Sequence, residues 1–98
     1  MSLAEMKSAL RRRIILDALA DDPNYSISYA VLRDLLAELN HATTDTNRDL
    51  VWLEENALIT TKTLGEPPMP IATITPLGED VARGRKSFTG VRRHRAGE

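Results

Sequence analysis

Cysteine is absent from this 98-residue chain, and its absence excludes several kinds of chemistry. A protein without a thiol forms no disulfide, uses no thiolate nucleophile and offers no cysteine ligand to zinc. The same absence suits the reducing cytoplasm, which is the compartment we expect. Long hydrophobic runs are also missing, because no stretch of the sequence approaches the ~20 apolar residues that a membrane-spanning helix needs.

The reactive residues that are present do not form a catalytic or metal-binding motif. The two histidines, His41 and His94, lack a histidine partner at the i, i+4 spacing, so no metal site is expected. Adjacent Glu54 and Glu55 diverge on a helix and are not a catalytic carboxylate pair. The sequence contains no glycine-rich phosphate loop, and the arginines at 11–13 precede too short an apolar stretch for a signal peptide. We therefore expect no enzyme activity and no cofactor.

The formal net charge of −1 conceals an asymmetry along the chain. Residues 81–98 contain six basic residues and one acidic residue, a net +5, whereas residues 1–80 contain seven basic and thirteen acidic residues, a net −6. A basic segment of this kind is usually only solvated, but it can also neutralise phosphates. The composition, 42% hydrophobic and 28% charged, is that of one globular domain.

Apolar spacing in the first half of the chain predicts three helices. Ser2 and Glu5 form a capping box, and apolar residues then recur every three or four positions to about Ala20. The tetrapeptide at 25–28 is short but could form a minimal strand, and a second helix is expected from Tyr29 to about Leu39. The predicted apolar stripe of that helix is Leu32, Leu35, Leu36 and Leu39. Thr43 or Thr44 is expected to cap the third helix.

The second half predicts a strand pair and a short closing helix. A β-prone run over 58–64, a proline-rich turn over 65–70 and an alternating run over 71–75 predict a two-stranded hairpin. Thr75 and Pro76 are suited to begin a fourth helix that ends near Gly84. The predicted fold is α+β and mostly α, with one domain at 1–84. Residues 85–98 lack periodicity, so we expect a flexible basic tail there.

Two segments resemble winged helix-turn-helix regulators: LVWLEENALI at 50–59 and ITPLG at 74–78. These regulators commonly have a threonine-x-x-glycine after the second wing strand, which Thr75 to Gly78 match. More narrowly, Arg48 to Leu53 and Gly90 to Arg93 resemble parts of small uncharacterised winged-helix proteins of Mu-like phages and prophages. The resemblance implies three helices, a two-stranded β-wing and a fourth short helix, with the third helix inserted into DNA.

The leading functional interpretation is a phage or prophage protein that binds double-stranded DNA, regulates transcription and acts as a homodimer. The candidate DNA-binding residues are Thr44, Asn47 and Arg48 in the groove, Lys62 beside the wing, and Arg85, Lys86, Arg92, Arg93 and Arg95 on phosphates. Dimerisation is expected through the first helix, because it has more apolar width than one small core needs. That width comes from Leu3, Met6 and Leu10, with Ile15 and Leu19 on neighbouring faces.

The alternative interpretation is a winged helix that contacts a phage or host protein and does not bind DNA. Acidic Asp45 and Asp49 on the third helix would oppose phosphates, and the wing turn carries Glu66 without lysine or arginine. The arginines at 11–13 are expected to be solvated and to pair with Glu5 or Asp17, while Trp52 is expected to pack. The predicted core consists of Leu10, Ile14, Leu32, Leu35, Leu50, Leu53, Ile59 and Ile74.

Overall fold

Helices dominate the computed structural model, which describes residues 2–93. Within that range the elements are α1 (Leu3–Asp21), β1 (Ser26–Ser28), α2 (Tyr29–Glu38), α3 (Thr43–Glu55), β2 (Ile59–Leu64), β3 (Met69–Ile74) and α4 (Pro76–Ala82). The four helices and one antiparallel sheet confirm the predicted α+β, mostly helical class. None of the helices between residues 2 and 93 combines the length and apolar character needed to cross a bilayer.

Local hydrogen bonds explain where most of the helices begin. The hydroxyl of Ser2 accepts a bond from the Glu5 amide, as the capping box predicts. The hydroxyl of Thr75 accepts a bond from the Gly78 amide, with Pro76 at the first position of α4. The expected threonine cap of α3 is wrong: its N-cap residue is Ala42, which has no side-chain oxygen to accept a bond from the first turn.

The sheet has three strands in the order β1-β3-β2, and all pairings are antiparallel. Cross-strand hydroxyls join Ser26 of β1 to Thr73 of β3 at 2.7 Å. Gly78 is required where α4 returns over the sheet, because a Cβ there would lie 2.2 Å from the carbonyl oxygen of Leu58. That close approach gives the threonine-x-x-glycine pattern a steric reason.

One core fills the space between the helices and the sheet. Leu32, Leu50 and Leu53 are fully buried, and Ile59 and Ile74 are nearly so, as predicted. Of the other predicted core residues, Ile14 packs partly buried against this core and Leu10 is half-buried. The prediction is wrong for Leu35, which is 37% exposed because the stripe of α2 that faces inward is Leu32 and Leu36.

Some of the apolar residues of α1 that were expected to form a dimer contact are buried inside the monomer. Ile15 and Leu19, which we expected to contribute to a dimer contact, are completely buried in the core. Leu3 and Met6 remain exposed near the amino end of the helix. Only the apolar residues in the first two turns of α1 therefore remain available for a dimer contact through this helix.

Residues 85–93 lie against the body of the protein, which differs from the expectation of a flexible tail that begins at residue 85. Val91 is buried, Phe88 packs against the core, and the amide of Arg92 donates a 3.2 Å hydrogen bond to the carbonyl oxygen of Ala9. The apolar side chains Phe88 and Val91 make this possible, since each removes hydrophobic surface from water. The rest of the predicted tail, residues 94–98, lies outside the described residues.

Candidate nucleic-acid interface

Helix α3 has a buried face and an exposed face that differ in chemistry. Thr46, Asp49, Leu50 and Leu53 point into the protein and are buried. The exposed face carries the three candidate groove residues of this helix, Thr44, Asn47 and Arg48, together with Val51, Glu54 and Glu55. The structure thus brings the groove residues together on one accessible surface, as the helical spacing predicts.

The polar groups of this surface have only weak partners. The Arg48 side chain is 72% exposed and lies 3.5 Å from the carboxylate of Asp45, one turn away. The amide oxygen of Asn47 accepts a 3.3 Å bond from the guanidinium of Arg33 on α2. Exposed pairs of this kind contribute little stability. Arg48, Asn47 and Arg33 can therefore exchange these partners for the groups of a ligand.

Asp49 is fully buried and does not contribute negative charge to the exposed face, contrary to the expectation from sequence. Its Oδ2 accepts a hydrogen bond from Nε of Arg11 at 2.5 Å, and its Oδ1 accepts one from Nε of Arg12 at 3.0 Å. A buried carboxylate needs such partners because its desolvation is costly. One of the two aspartates expected to oppose a phosphate is thus turned toward α1, whereas the side chain of Asp45 stays 37% exposed.

The expectation that the three consecutive arginines form a solvated flank is wrong, because their side chains are 5%, 15% and 12% exposed in chain order. Arg11 and Arg12 are structural. Arg11 is buried and also donates from Nη2 to the hydroxyl of Ser8 at 2.9 Å. Only Arg13 pairs as predicted, with Asp17 at 3.3 Å. Arg11 and Arg12 converge on one carboxylate although their Cα–Cβ bonds diverge, because both side chains are long and flexible.

Arg12 joins three parts of the chain. Its guanidinium lies over the Trp52 ring, 3.9 Å from the ring centroid, and its Nη1 donates a 3.1 Å bond to the carbonyl oxygen of Gly90. Trp52 in turn meets the edge of Phe88, with centroids 5.8 Å apart. Gly90 has a φ of +100°, and a Cβ there would lie 2.6 Å from the tryptophan ring. The orientation of α3 is thus fixed by α1 and by residues 88–90 together.

One signal for this cluster was present in the sequence. Position 49 lies on the buried side of α3 with Thr46, Leu50 and Leu53, so an aspartate there requires a cationic partner. The identity of that partner could not be read, because it comes from a helix 37 and 38 residues away.

The first two candidate phosphate residues after α4, Arg85 and Lys86, pair with acidic residues of α4. Arg85 lies 2.8 Å from Asp80 and 3.6 Å from Glu79, while Lys86 lies 3.7 Å from Asp80. The hydrogen bond from Arg85 holds the pKa of Asp80 below its ordinary value. Arg83, two residues before Arg85, also pairs with an acid: it lies 3.3 Å from Asp21 at the carboxyl end of α1. This pair is separate from the Asp49 cluster, which contacts Arg11 and Arg12 near the middle of α1. Arg85 and Lys86 therefore neutralise the acidic residues Glu79 and Asp80 of α4.

The remaining candidates within residues 2–93 lie in two different places. Lys62 is exposed on β2, next to the predicted wing. Arg92 and Arg93 line a groove of about 680 Å³ between the amino-terminal half of α1 and residues 87–93. Arg93 also accepts, at its carbonyl oxygen, a 3.0 Å hydrogen bond from Arg13. Arg95 lies outside the described residues.

His41, in the turn that precedes α3, stands close to the Asp49 cluster. Burial lowers the pKa of His41, and the charges of Arg11 and Lys7 lower it further, while Asp49 and Asp45 act in the opposite direction. Within residues 2–93 no group of three potential ligands among histidine, aspartate and glutamate is arranged to hold a metal ion.

The fold and this surface define a small α+β protein with an exposed polar helix on a compact helical body. No protein-family model matches the chain, and no solved structure matches it. It is 36% identical over 90 residues to the uncharacterized protein gp26 of Escherichia phage Mu, an alignment that covers 87% of this chain and 88% of that protein. The chain therefore belongs to the same family as phage Mu gp26, which supports a phage origin.

Proposed function

We propose that this protein is a phage-type winged helix-turn-helix protein that binds double-stranded DNA through the exposed face of α3 and acts in transcription control. The observation that carries the proposal is the division of α3. Thr44, Asn47 and Arg48 face outward, while the carboxylate of Asp49 is buried and neutralised by Arg11 and Arg12. The helix can therefore approach a polyanion without presenting Asp49 to it.

The order of the elements supports the winged-helix assignment. Three helices precede the β2–β3 hairpin, and the short helix α4 follows it. The strand β1, between α1 and α2, pairs with the edge of β3 that does not face β2. In such an arrangement the third helix is the natural reader of the major groove, and the hairpin is the wing beside it. Lys62 on β2 is then the wing residue nearest to a phosphate contact.

The side chains of the α3 face have the chemistry for both base and phosphate contacts. Asparagine can bond an adenine edge in two places, and arginine can do the same with guanine. Thr44 and the first-turn amides of α3, which lack a side-chain cap, suit a phosphate oxygen. Arg33 stands beside Asn47 and adds a cation from α2. We propose weak binding, because these contacts supply only the charges of Arg33, Arg48 and Lys62.

The other candidate cations and the oligomeric state contribute less to the proposed binding than the α3 face does. Arg85 and Lys86 already pair with acids of α4, so we assign them a smaller share of phosphate contact. Arg92, Arg93 and Arg95 remain candidate phosphate contacts from the basic segment. Self-association as a homodimer would present two α3 helices to one duplex and double the number of cations.

A second candidate is a protein-interaction module that does not bind DNA. It is favoured by the groove beside α1 and by the acidic carboxyl end of α3, where Glu54 and Glu55 are both exposed. Glu66 in the wing turn adds a further negative charge. These acids would repel a duplex that lay along the full length of α3.

A salt titration of binding to a labelled duplex of mixed sequence separates the two candidates. For the intact chain we expect affinity to fall with salt. On a duplex of mixed sequence Arg48 meets phosphates and no fixed guanine, so Arg48→Ala should flatten the plot of log affinity against log salt by about 0.9. The matched control, Arg85→Ala, also removes one exposed arginine but should change the slope much less, because Arg85 pairs with Asp80. If the intact chain shows no salt-dependent binding at low salt, the DNA proposal is wrong and the interaction module is favoured.

A further inference from the structure

The groove beside α1 combines apolar walls with positive charge. Leu3, which is 66% exposed, Met6 and Leu10 line one side, and Phe88 lines the other. Lys7, Arg92 and Arg93 also line it, and no acidic residue is found in the described part of its wall. A partner that fits must offer an apolar row and carboxylates together.

The outer face of α2 has the complementary composition. Val31, Leu35 and Leu39 are exposed at i, i+4 and i+8, with Val31 56% exposed. Asp34 and Glu38 are exposed beside them, also four residues apart. Residues four positions apart lie one above the other on the same face of a helix. The helix therefore presents an apolar row next to an acidic row.

The two surfaces also agree in length. The row from Val31 to Leu39 extends about 12 Å at ~1.5 Å per residue, and the wall from Leu3 to Leu10 extends about 10 Å. The apolar rows can therefore pack along each other while Asp34 and Glu38 approach the cations of the groove. Because the contact joins two different surfaces of the chain, it is head-to-tail when a copy uses its groove on one neighbour and its α2 face on another.

We propose that this protein self-associates head-to-tail, with the outer face of α2 of one copy seated in the groove between α1 and residues 87–93 of a second copy. The interface uses Leu3, Met6 and Lys7 on the groove side and Val31, Asp34 and Leu35 on the helix side. It leaves the exposed face of α3 uncovered, and it does not depend on DNA binding. Continued association yields a ring or an open chain, according to the rotation between neighbours.

Charge reversal on each surface provides the test, with sedimentation equilibrium of the full chain as the measurement. The groove variant is Met6→Glu with Lys7→Glu, and the α2 variant is Asp34→Lys with Glu38→Lys. All four positions are exposed, so both variants should keep the circular-dichroism spectrum and urea midpoint of the unchanged protein. Each variant alone places like charges opposite each other, and its dissociation constant should rise at least about tenfold.

Mixing the two variants tests whether the groove and the outer face of α2 have complementary charges in the complex. In the mixture, each unaltered surface meets its unaltered partner and each reversed surface meets its reversed partner, so complexes of at least twice the 10.9 kDa chain mass should return. Val51→Lys, at an exposed apolar position on α3, is the control and should associate normally.

Three results would overturn the proposal. They are a monomer mass for the unchanged protein at its highest soluble concentration, normal association of the α2 variant, and failure of the mixture to restore association. Normal association of the α2 variant together with loss in the groove variant would indicate a symmetric contact between α1 helices.

Discussion

Among single side chains, Asp49 has the largest consequence for both fold and function. Its carboxylate is fully buried and is held by Arg11 and Arg12, so it fixes α3 on α1. The same contacts keep a negative charge away from the exposed face of α3. A residue that looks unfavourable for DNA binding in the sequence therefore supports the surface that we propose binds DNA.

Loss of this carboxylate should destabilise the protein strongly. Asp49→Ala leaves buried Arg11 without its main partner, and breaking a buried pair in this way costs about 3–5 kcal/mol. Urea denaturation with Asp45→Asn as the control measures the difference, because the pair between Arg48 and Asp45 is exposed. The control should stay within about 0.5 kcal/mol of the unchanged protein. A cost below about 1 kcal/mol for Asp49→Ala would contradict the structural role of the cluster.

His41 should make stability depend on pH near neutrality. Its pKa is lowered from 6.5 by burial and by Arg11 and Lys7, so the unfolded chain binds a proton more readily than the folded one. The free energy of unfolding should therefore fall as the pH drops below about 7, and this contribution should level off below the pKa of the folded state. The charges of Asp49 and Asp45 oppose this lowering of the pKa of His41.

Urea denaturation at pH 7.5 and pH 5.5 tests this dependence. His41→Gln should reduce the difference in unfolding free energy between the two pH values. The control is His94→Gln, which removes the other histidine and should leave the difference between the two pH values unchanged. An unchanged difference in the His41 variant would show that another group controls the pH dependence.

Among the larger elements, the segment after α4 behaves as part of the domain. Phe88 contacts Trp52, Val91 is buried, and Gly90 accepts a bond from Arg12. Removing residues 85–98 should therefore lower the free energy of unfolding by about 2 kcal/mol or more, through loss of buried apolar surface. A chain that ends after Arg93 should keep its stability. Equal urea midpoints for the two shortened chains would contradict the packing of residues 85–93.

The elements that the sequence predicted well are those with a strong local pattern. The capping box of α1, the alternation of β3 and the Thr75–Pro76 start of α4 depend on neighbouring residues, so they could be read directly. Leu35 could not be placed, because α2 has apolar residues over more than one face and only contacts with other elements select the buried one. The docking of Phe88 and the pairing of Arg11 depend on residues far away in the chain.

The distribution of charge over the described surface limits how DNA can be bound. Arg85 and Lys86 neutralise acids of α4, and Arg92 and Arg93 lie at the groove beside α1. Among the described residues, the cations left for a duplex near α3 and β2 are Arg33 of α2, Arg48 of α3 and Lys62 of β2. Three phosphate contacts correspond to a slope of log affinity against log salt of about −2.7. A much steeper slope would require the basic segment or a second copy of the chain.

Amide chemical-shift mapping by NMR places a duplex on the surface most directly. With a mixed-sequence duplex added at low salt to the isotope-labelled full chain, the largest shifts should fall on residues 43–48 of α3, on Arg33 and near Lys62. Asp34, Leu35 and Glu38 on the outer face of α2 should change little. Shifts concentrated in the groove beside α1, or no shifts at saturating duplex, would contradict binding through α3.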